Sequence, residues 1–261
     1  MIHSSEYPRV NILGVGVSAI NLDMAIKSID DWIQKQESHY ICVRDVHGVM
    51  ESQRDREIRH IHNHAGLVTP DGMPLVWLCR LKGHAHVERV YGPDLMLALC
   101  EHSLHQGYRH YFYGGVDGVP ELLAQRLRQR FPGLQIVGTI SPPFRPLTEE
   151  EDIEIVKEIN QKSPHVIWVG LSTPKQEYWM ASHIGKINAP VLIGVGAAFD
   201  FLAGIKKQAP RWMQRSGLEW LFRLGMEPRR LWRRYLINAP IFIVFILLQS
   251  LGLRKYPLDH G

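Results

Sequence analysis

The sequence predicts an α/β fold, a parallel sheet with helices on both faces, followed by a basic and apolar C-terminal appendage. Three observations predict it. From Arg109 onward, short apolar runs alternate with stretches of helical periodicity, the pattern of right-handed crossovers in a parallel sheet. Runs such as Val191 to Val195 are apolar throughout, as strands covered on both faces must be. Near Lys206 the composition turns rich in Arg, Trp and Leu and then purely apolar. The expected division is 1–205 as the core and 206–261 as the appendage.

Val10 to Val17 reads as the first strand and Asn21 to Gln36 as a helix, with Met24, Ile26, Ile29 and Ile33 on roughly one face. Tyr40 to Val46 is the second strand, and one short helix is expected from about Gly48 to His62. Gly66 to Thr69 is a short strand entering a turn at Pro70, Asp71 and Gly72. Helices are expected over Leu75 to Leu81 and Gly92 to His105. Strands follow at Arg109 to Tyr113, Leu134 to Thr139, Val166 to Val169 and Pro190 to Val195. Between them the helices run over Val119 to Phe131, Thr148 to Gln161 and Gln176 to Ile184. Glu149, Glu150 and Glu151 crowd the first turn of the second of these, where the helix dipole favours them.

Hydrophobic residues make up 45% of the 261, enough for a sizeable core. The net charge of +4 attracts phosphate groups but does not say on what molecule. Cys42, Cys79 and Cys100 show no metal or redox spacing and suit buried thiols in a reducing compartment. Met1 to Arg9 lacks the charged and apolar segments of a signal peptide. No run reaches the roughly 20 apolar residues of a spanning helix. The nearest is Ala239 to Leu253, interrupted by Pro240, Gln249 and Ser250.

In an open parallel sheet, ligands bind beyond the carboxyl ends of the strands, so the loops there hold the candidates. Gly14-Val15-Gly16-Val17-Ser18-Ala19 superficially matches a dinucleotide fingerprint. It lacks the third glycine and the later acidic residue, which favours a plain strand and turn. Asp71, between Pro70 and Gly72, is a carboxylate on a rigid turn, suited to a base; equally, it could cap the next helix. Gly114 and Gly115 open a glycine-rich strand-to-helix turn whose backbone N–H groups suit a nucleotide diphosphate. Gly170 to Glu177 gathers hydroxyl, amide and ammonium groups, and the Gly194–Gly196 turn follows the next strand. No DxD pair or His/Asp cluster accompanies these loops, and the 14 histidines are scattered, so no metal is expected.

The C-terminal segment interleaves Arg211, Arg215, Arg223, Arg229, Arg230, Arg233 and Arg234 with Trp212, Trp220 and Trp232. It then runs apolar from Ile241 to Leu248. This is the composition of a helix lying in a membrane interface. A basic helix packed on the core is the alternative.

Seven stretches, in this order, resemble the WecG/TagA/CpsF family of glycosyltransferases. They are Leu67 to Pro74, Arg89 to Leu95, Gly170 to Glu177, Gly194 to Asp200, Ala209 to Gln214, Gly217 to Arg223 and Glu227 to Arg230. The resemblance spans Val10 to about Tyr235. It implies a Rossmann-like core with a membrane-associating helical appendage. It also implies inverting transfer of a hexose from a UDP-sugar to a sugar on a polyprenyl diphosphate, for cell-surface polysaccharide. The family's proposed base maps onto Asp71, its arginine onto Arg89 and its glutamine onto Gln176. Arginines that close over the diphosphate map onto Arg223, Arg230 and Arg233. Gly114, Gly115 and Gly196 would then hold UDP. Some members carry a threonine in a T-x-N segment at the end of strand two, where this chain has Val43-Arg44-Asp45-Val46-His47. The donor is therefore left open among N-acetylmannosamine, glucose and similar hexoses.

The expected partners are a UDP-sugar donor, a polyprenyl-diphosphate-linked acceptor and the cytoplasmic face of the plasma membrane, contacted peripherally. A homo-oligomer is allowed, and neither a cofactor nor nucleic acid is expected. Two other readings compete: a membrane-docked module that binds UDP-sugars without catalysis, and a dinucleotide-dependent oxidoreductase using the turn at Gly14.

Overall fold

The computed structural model describes residues 7–258. All but the end of the segment in which no signal peptide is expected lies outside them. In chain order the elements are β1 (Arg9–Ile12), β2 (Val15–Ser18), α1 (Leu22–Lys35), β3 (His39–Arg44), α2 (Val46–Arg54), α3 (Arg56–His64), β4 (Leu67–Pro70) and α4 (Met73–Leu81). Next come α5 (Gly92–Gln106), β5 (Arg109–Gly114), α6 (Val119–Arg130), β6 (Gln135–Ile140), α7 (Glu149–Lys162), β7 (Val166–Gly170), α8 (Lys175–His183), β8 (Val191–Gly194) and α9 (Ala198–Leu202). The chain continues through α10 (Arg211–Arg215), α11 (Glu219–Met226), α12 (Pro228–Trp232), a π-helical turn (Arg233–Ile237) and α13 (Asn238–Ser250).

The architecture is α/β. Six parallel strands in the order β4-β3-β8-β7-β5-β6 are flanked by helices. Contacts divide the chain into two compact units. One gathers the residues up to Leu22, Val43–Tyr91 and those from Gln208 onward; the other gathers Asp23–Cys42 and Gly92–Lys207.

In the second unit, β7 and β8 run side by side with Val166 opposite Val191 and Val169 opposite Gly194. Val166 to Val169 and Val191 to Ile193 are fully buried, which is why these strands are apolar on both faces. Phe112 of β5 meets Phe199 of α9 edge to face at 5.7 Å. Trp168 donates its indole N–H to His110 Nδ1 at 3.0 Å, and burial pulls His110 down to about 3, so it is a neutral core histidine. The first turn of α7 closes as a capping box between Thr148 and Glu151.

In the first unit, the stretch expected as one strand is a hairpin. β1 and β2 pair antiparallel, with Arg9 opposite Ser18 and Ile12 opposite Val15. Leu13 and Gly14 both take positive φ, +52° and +82°, the two-residue turn whose twist matches the strands. Asn11 Oδ1 fixes that turn by accepting the Gly14 N–H at 2.8 Å. The helix expected over 48–62 is likewise two helices. Asp55 ends α2 and caps α3, its Oδ1 accepting from the N–H groups of Glu57 and Ile58.

The C-terminal helices belong to the same unit. Sequence counting finds no apolar run of spanning length, yet α12, the π turn and α13 form one helix from Pro228 to Ser250. That helix is long and apolar enough to cross a membrane by length and composition. Pro240 does not end it. Pro240 lies in the first turn of α13, just past the widened π turn, where a missing N–H is tolerated. Its α13 portion is tied to its own unit at both ends. Asn238 Oδ1 accepts from Arg54 at 2.6 Å, and Gln249 Oε1 accepts from the Leu13 N–H at 3.1 Å. Phe242 is buried between these ties. The three cysteines are buried and form no disulfide with one another, and burial pushes the Cys79 thiol up to about 11.

Candidate active site

The sequence candidates fall into two clusters, one in each unit. In the first unit β4 ends at Pro70, whose carbonyl accepts the Val90 N–H at 3.0 Å. Asp71 follows, its own N–H donating to the carbonyl of Arg44 at 2.7 Å. The turn therefore hangs from the end of β3, and the Arg89 segment hangs from the turn. Arg44 itself is buried beneath α2, where a side chain at Gly48 would come within 2.8 Å of its guanidinium.

Asp71 does not cap α4. The cap position is Gly72, with no side-chain hydrogen bond. Instead Asp71 Oδ1 accepts from Arg89 Nη2 at 3.0 Å, while Arg89 Nε donates to the Asp71 backbone carbonyl. The same Nη2 lies 2.6 Å from Glu219 Oε2. The Arg89 guanidinium also stacks 4.1 Å above the Tyr91 ring. Among the described residues nothing hydrogen-bonds to Asp71 Oδ2.

Burial pushes the Asp71 carboxyl up, Arg89 opposes this, and Glu219 and Asp45 add to it, leaving it at about 6. At neutral pH it is mostly ionised but holds a proton more firmly than an ordinary carboxylate. Arg89 is pushed further into its protonated form; burial opposes this, but Asp71 and Glu219 outweigh it.

Asp45, at the end of β3, behaves oppositely. Its Oδ1 caps α2 through the Gly48 N–H at 3.1 Å, and its Oδ2 pairs with Arg234 from the π turn. Burial alone would raise it, but Arg234, His47, the cap and Arg44 hold it well below the usual carboxylate range.

The structure brings Arg223 of α11 into the electrostatic neighbourhood of Tyr91, Glu219 and Asp45. Arg230 and Arg233 are exposed; Arg230 pairs with Glu227, and Arg233 lies over the Trp232 ring at 5.3 Å. Sequence reasoning missed Glu219, Tyr91, Asp45 and Arg234 as parts of this cluster. Glu219 sits in the stretch Gly217 to Arg223, and Asp45 was noticed only as a departure. Neither position carries a local pattern that announces its arginine.

The second cluster is made mostly of backbone. Gly114 ends β5 at φ +116°, where a Cβ would lie 2.7 Å from the carbonyl carbon of Gly170. Only glycine permits that approach. Gly115 then donates its N–H to the Gly170 carbonyl at 3.0 Å. Gln176, at the start of α8, is 2% exposed. Its Nε2 donates to Glu177 at 2.9 Å, and its Oε1 has no hydrogen-bond partner among the described residues. A Cβ at Gly196 would sit 3.5 Å from that oxygen. Gln176 and Gly196 are thus neighbours, as are Gly114 and Gly115. No group of three or more His, Cys, Asp or Glu side chains among the described residues could hold a metal ion.

Fold and sequence similarity together define a glycosyltransferase. The family profile described as "Glycosyl transferase WecG/TagA/CpsF family" matches residues 10–256, and the chain belongs to that family. Three relatives share the description "N-acetylglucosaminyldiphosphoundecaprenol N-acetyl-beta-D-mannosaminyltransferase". The protein from Staphylococcus aureus strain MW2 is 26% identical over 254 residues, 96% of this chain and 97% of its own. That from Bacillus spizizenii is 26% identical over 83% of this chain and 81% of its own. That from Bacillus subtilis strain 168 is 26% identical over 74% of this chain and 73% of its own. Membership in an enzyme family sets aside the non-catalytic module. The oxidoreductase reading loses its motif, because Gly14 turns a hairpin and does not lead a strand into a helix.

Proposed function

We propose that the protein transfers a hexose, N-acetylmannosamine or a similar sugar such as glucose, from a UDP-sugar to a sugar carried on a polyprenyl diphosphate. The transfer inverts the anomeric carbon and needs no metal ion. The observation that carries this reading is Asp71, with one oxygen anchored on Arg89, the other open, and its proton affinity set near pH 6. A general base works best when its pKa lies close to the working pH. Asp71 Oδ2 takes the proton from the acceptor hydroxyl as that oxygen attacks the anomeric carbon. The bond from that carbon to the diphosphate oxygen breaks on the opposite face, and UDP leaves with the electron pair.

Charge growing on the leaving diphosphate calls for fixed cations, and guanidinium groups serve without a metal. Arg223, Arg230 and Arg233 take this role in the proposal. Gly114, Gly115 and Gly196 offer close backbone approach to UDP on a Rossmann-like core, and Gln176 offers a buried amide. The names of the relatives support N-acetylmannosamine as donor sugar and an N-acetylglucosaminyl diphosphate lipid as acceptor.

The Pro228–Ser250 helix is assigned to the membrane interface. Ties at Asn238 and Gln249 favour a helix lying along its unit over one that spans. Ile243, Leu247 and Leu251 leave an exposed apolar stripe at four-residue spacing.

The test is UDP release from UDP-N-acetylmannosamine with a short-chain polyprenyl-diphosphate N-acetylglucosamine as acceptor. Asp71→Asn is expected to lose about 10²–10⁴-fold in turnover while binding UDP normally. Wild-type turnover in that variant would end the assignment. Activity should persist in excess EDTA; strict Mg²⁺ or Mn²⁺ dependence would overturn the metal-free mechanism. Replacing Ile243, Leu247 and Leu251 together with Gln should abolish flotation with anionic liposomes while turnover of the soluble acceptor continues. Normal flotation would place the membrane contact elsewhere.

A further inference from the structure

Glu219 is the unexplained member of the Asp71 cluster. It opens α11, and a carboxylate in a helix's first turn is favourable there on dipole grounds alone. That account does not require an arginine. Yet Arg89 Nη2 stands between two carboxylates, 2.6 Å from Glu219 and 3.0 Å from Asp71. Arg89 cannot turn wholly toward either, because its Nε donates to the Asp71 backbone carbonyl and its plane is stacked on Tyr91. Both acid side chains and the arginine are largely buried, so the three charges interact with little screening.

We propose that Glu219 is a positioning residue for Asp71: by taking the nearer share of the Arg89 guanidinium, it keeps Asp71 from becoming an ordinary salt-bridge carboxylate and so keeps it basic. The inference rests on Asp71 being the base.

An aspartate alone on an arginine is a poor base, since the cation stabilises its ionised form. Dividing the cation between two carboxylates weakens that stabilisation, and the second negative charge opposes ionisation directly. The charged and titratable groups around Asp71 are few. Arg89 and Tyr91 come from the segment before α5, and Glu219 and Arg223 from α11. Asp45 and His47 come from the start of α2, with Arg234 on Asp45 and Arg44 at the end of β3. Asp45 is already neutralised by Arg234 and its cap. Glu219 is therefore the carboxylate whose removal changes Asp71 most, in agreement with the order of influences on that group.

The experiment is the pH dependence of kcat/KM for wild type, Glu219→Gln, Glu219→Asp and Asp71→Asn. It uses UDP-N-acetylmannosamine and the short-chain lipid acceptor, with circular dichroism confirming the fold. The wild-type profile is expected to rise through about pH 6. In Glu219→Gln the rise moves to lower pH by about one unit, and the plateau falls several-fold because the base is weaker. Glu219→Asp, whose shorter side chain withdraws from Arg89, gives an intermediate shift. That variant carries the test if the glutamine variant does not fold. A purely structural role for Glu219 would lower activity without moving the profile. An unmoved rise in the folded variants, with Asp71→Asn inactive, overturns the inference. Full activity in Asp71→Asn would instead refute the base itself.

Discussion

Asp45 and Asp71 stand at the ends of successive strands, β3 and β4, each beside an arginine, yet the protein treats them in opposite ways. Asp45 is surrounded mainly by favourable partners. A backbone N–H caps onto one oxygen, Arg234 takes the other, and His47 and Arg44 stand near. Its charge is satisfied and its proton affinity falls. Asp71 has one arginine, and that arginine is shared with Glu219. Its helix cap is taken over by Gly72, so among the described residues no backbone donor stabilises its charge. Its proton affinity rises to about pH 6. The difference teaches that the residue type at a strand end does not decide its role. What decides it is whether the surrounding donors and cations are spent on that carboxylate or divided with another.

Removing the shared cation should have the largest effect. Arg89→Met leaves two buried carboxylates facing one another, and at pH 7.5 urea unfolding should show a loss of about 3–5 kcal/mol. The loss should shrink as pH falls toward 6, because Asp71, without Arg89 to hold it down, takes up its proton above that value. A loss independent of pH would mean that Arg89 acts through packing alone.

Asp45→Ala should rank next, with about 2 kcal/mol lost at pH 7.5 as the cap and the Arg234 pair disappear. Folded Asp45 ionises below the ordinary carboxylate value of 3.8. Its contribution is therefore full above that value and fades as pH falls beneath it. Equal destabilisation at pH 3 and pH 7.5 would contradict the depressed proton affinity.

The smallest effect has the opposite sign. Folded Asp71 keeps its proton up to about pH 6, whereas an ordinary aspartate releases it at 3.8. Ionising it costs the fold stability between those values, and the cost is complete above pH 6. Asp71→Asn should therefore stabilise the protein at pH 7.5 by about 1–2 kcal/mol, allowing for solvent screening of a largely but not fully buried group. The gain should vanish below pH 4. If Asp71→Asn and Asp45→Ala shifted thermal midpoints in the same direction at pH 7.5, the contrast between the two strand ends would collapse.

Much of the fold was legible because it follows from local rules. Val191 to Val195 announces a strand covered on both faces, since no polar residue interrupts it. Glu149 to Glu151 announce a helix start, since the dipole acts within one turn. The Pro70-Asp71-Gly72 turn and the glycines at 114, 115 and 196 announce places where backbone is forced into special geometry. The boundaries missed were those set by single side chains. Asn11 clasps the Gly14 N–H and folds an expected strand into a hairpin, and Asp55 serves two helices at once. The continuous helix past Pro240 escaped counting because a widened turn, not composition, absorbs the missing N–H.

The sequence by itself determined which groups were available: an aspartate on a rigid turn, an arginine before Tyr91-Gly92-Pro93, glycine turns, and a tail of arginines and apolar residues. Tertiary structure alone decided how they are paired. Glu219 lies 130 positions from Arg89 and Arg234 lies 189 from Asp45, separations at which no local period or spacing can signal contact. The physical reason is that proton affinity is a property of surroundings. Burial, a shared cation and a second carboxylate set the proton affinity of Asp71, and each of the three comes from folding distant segments together.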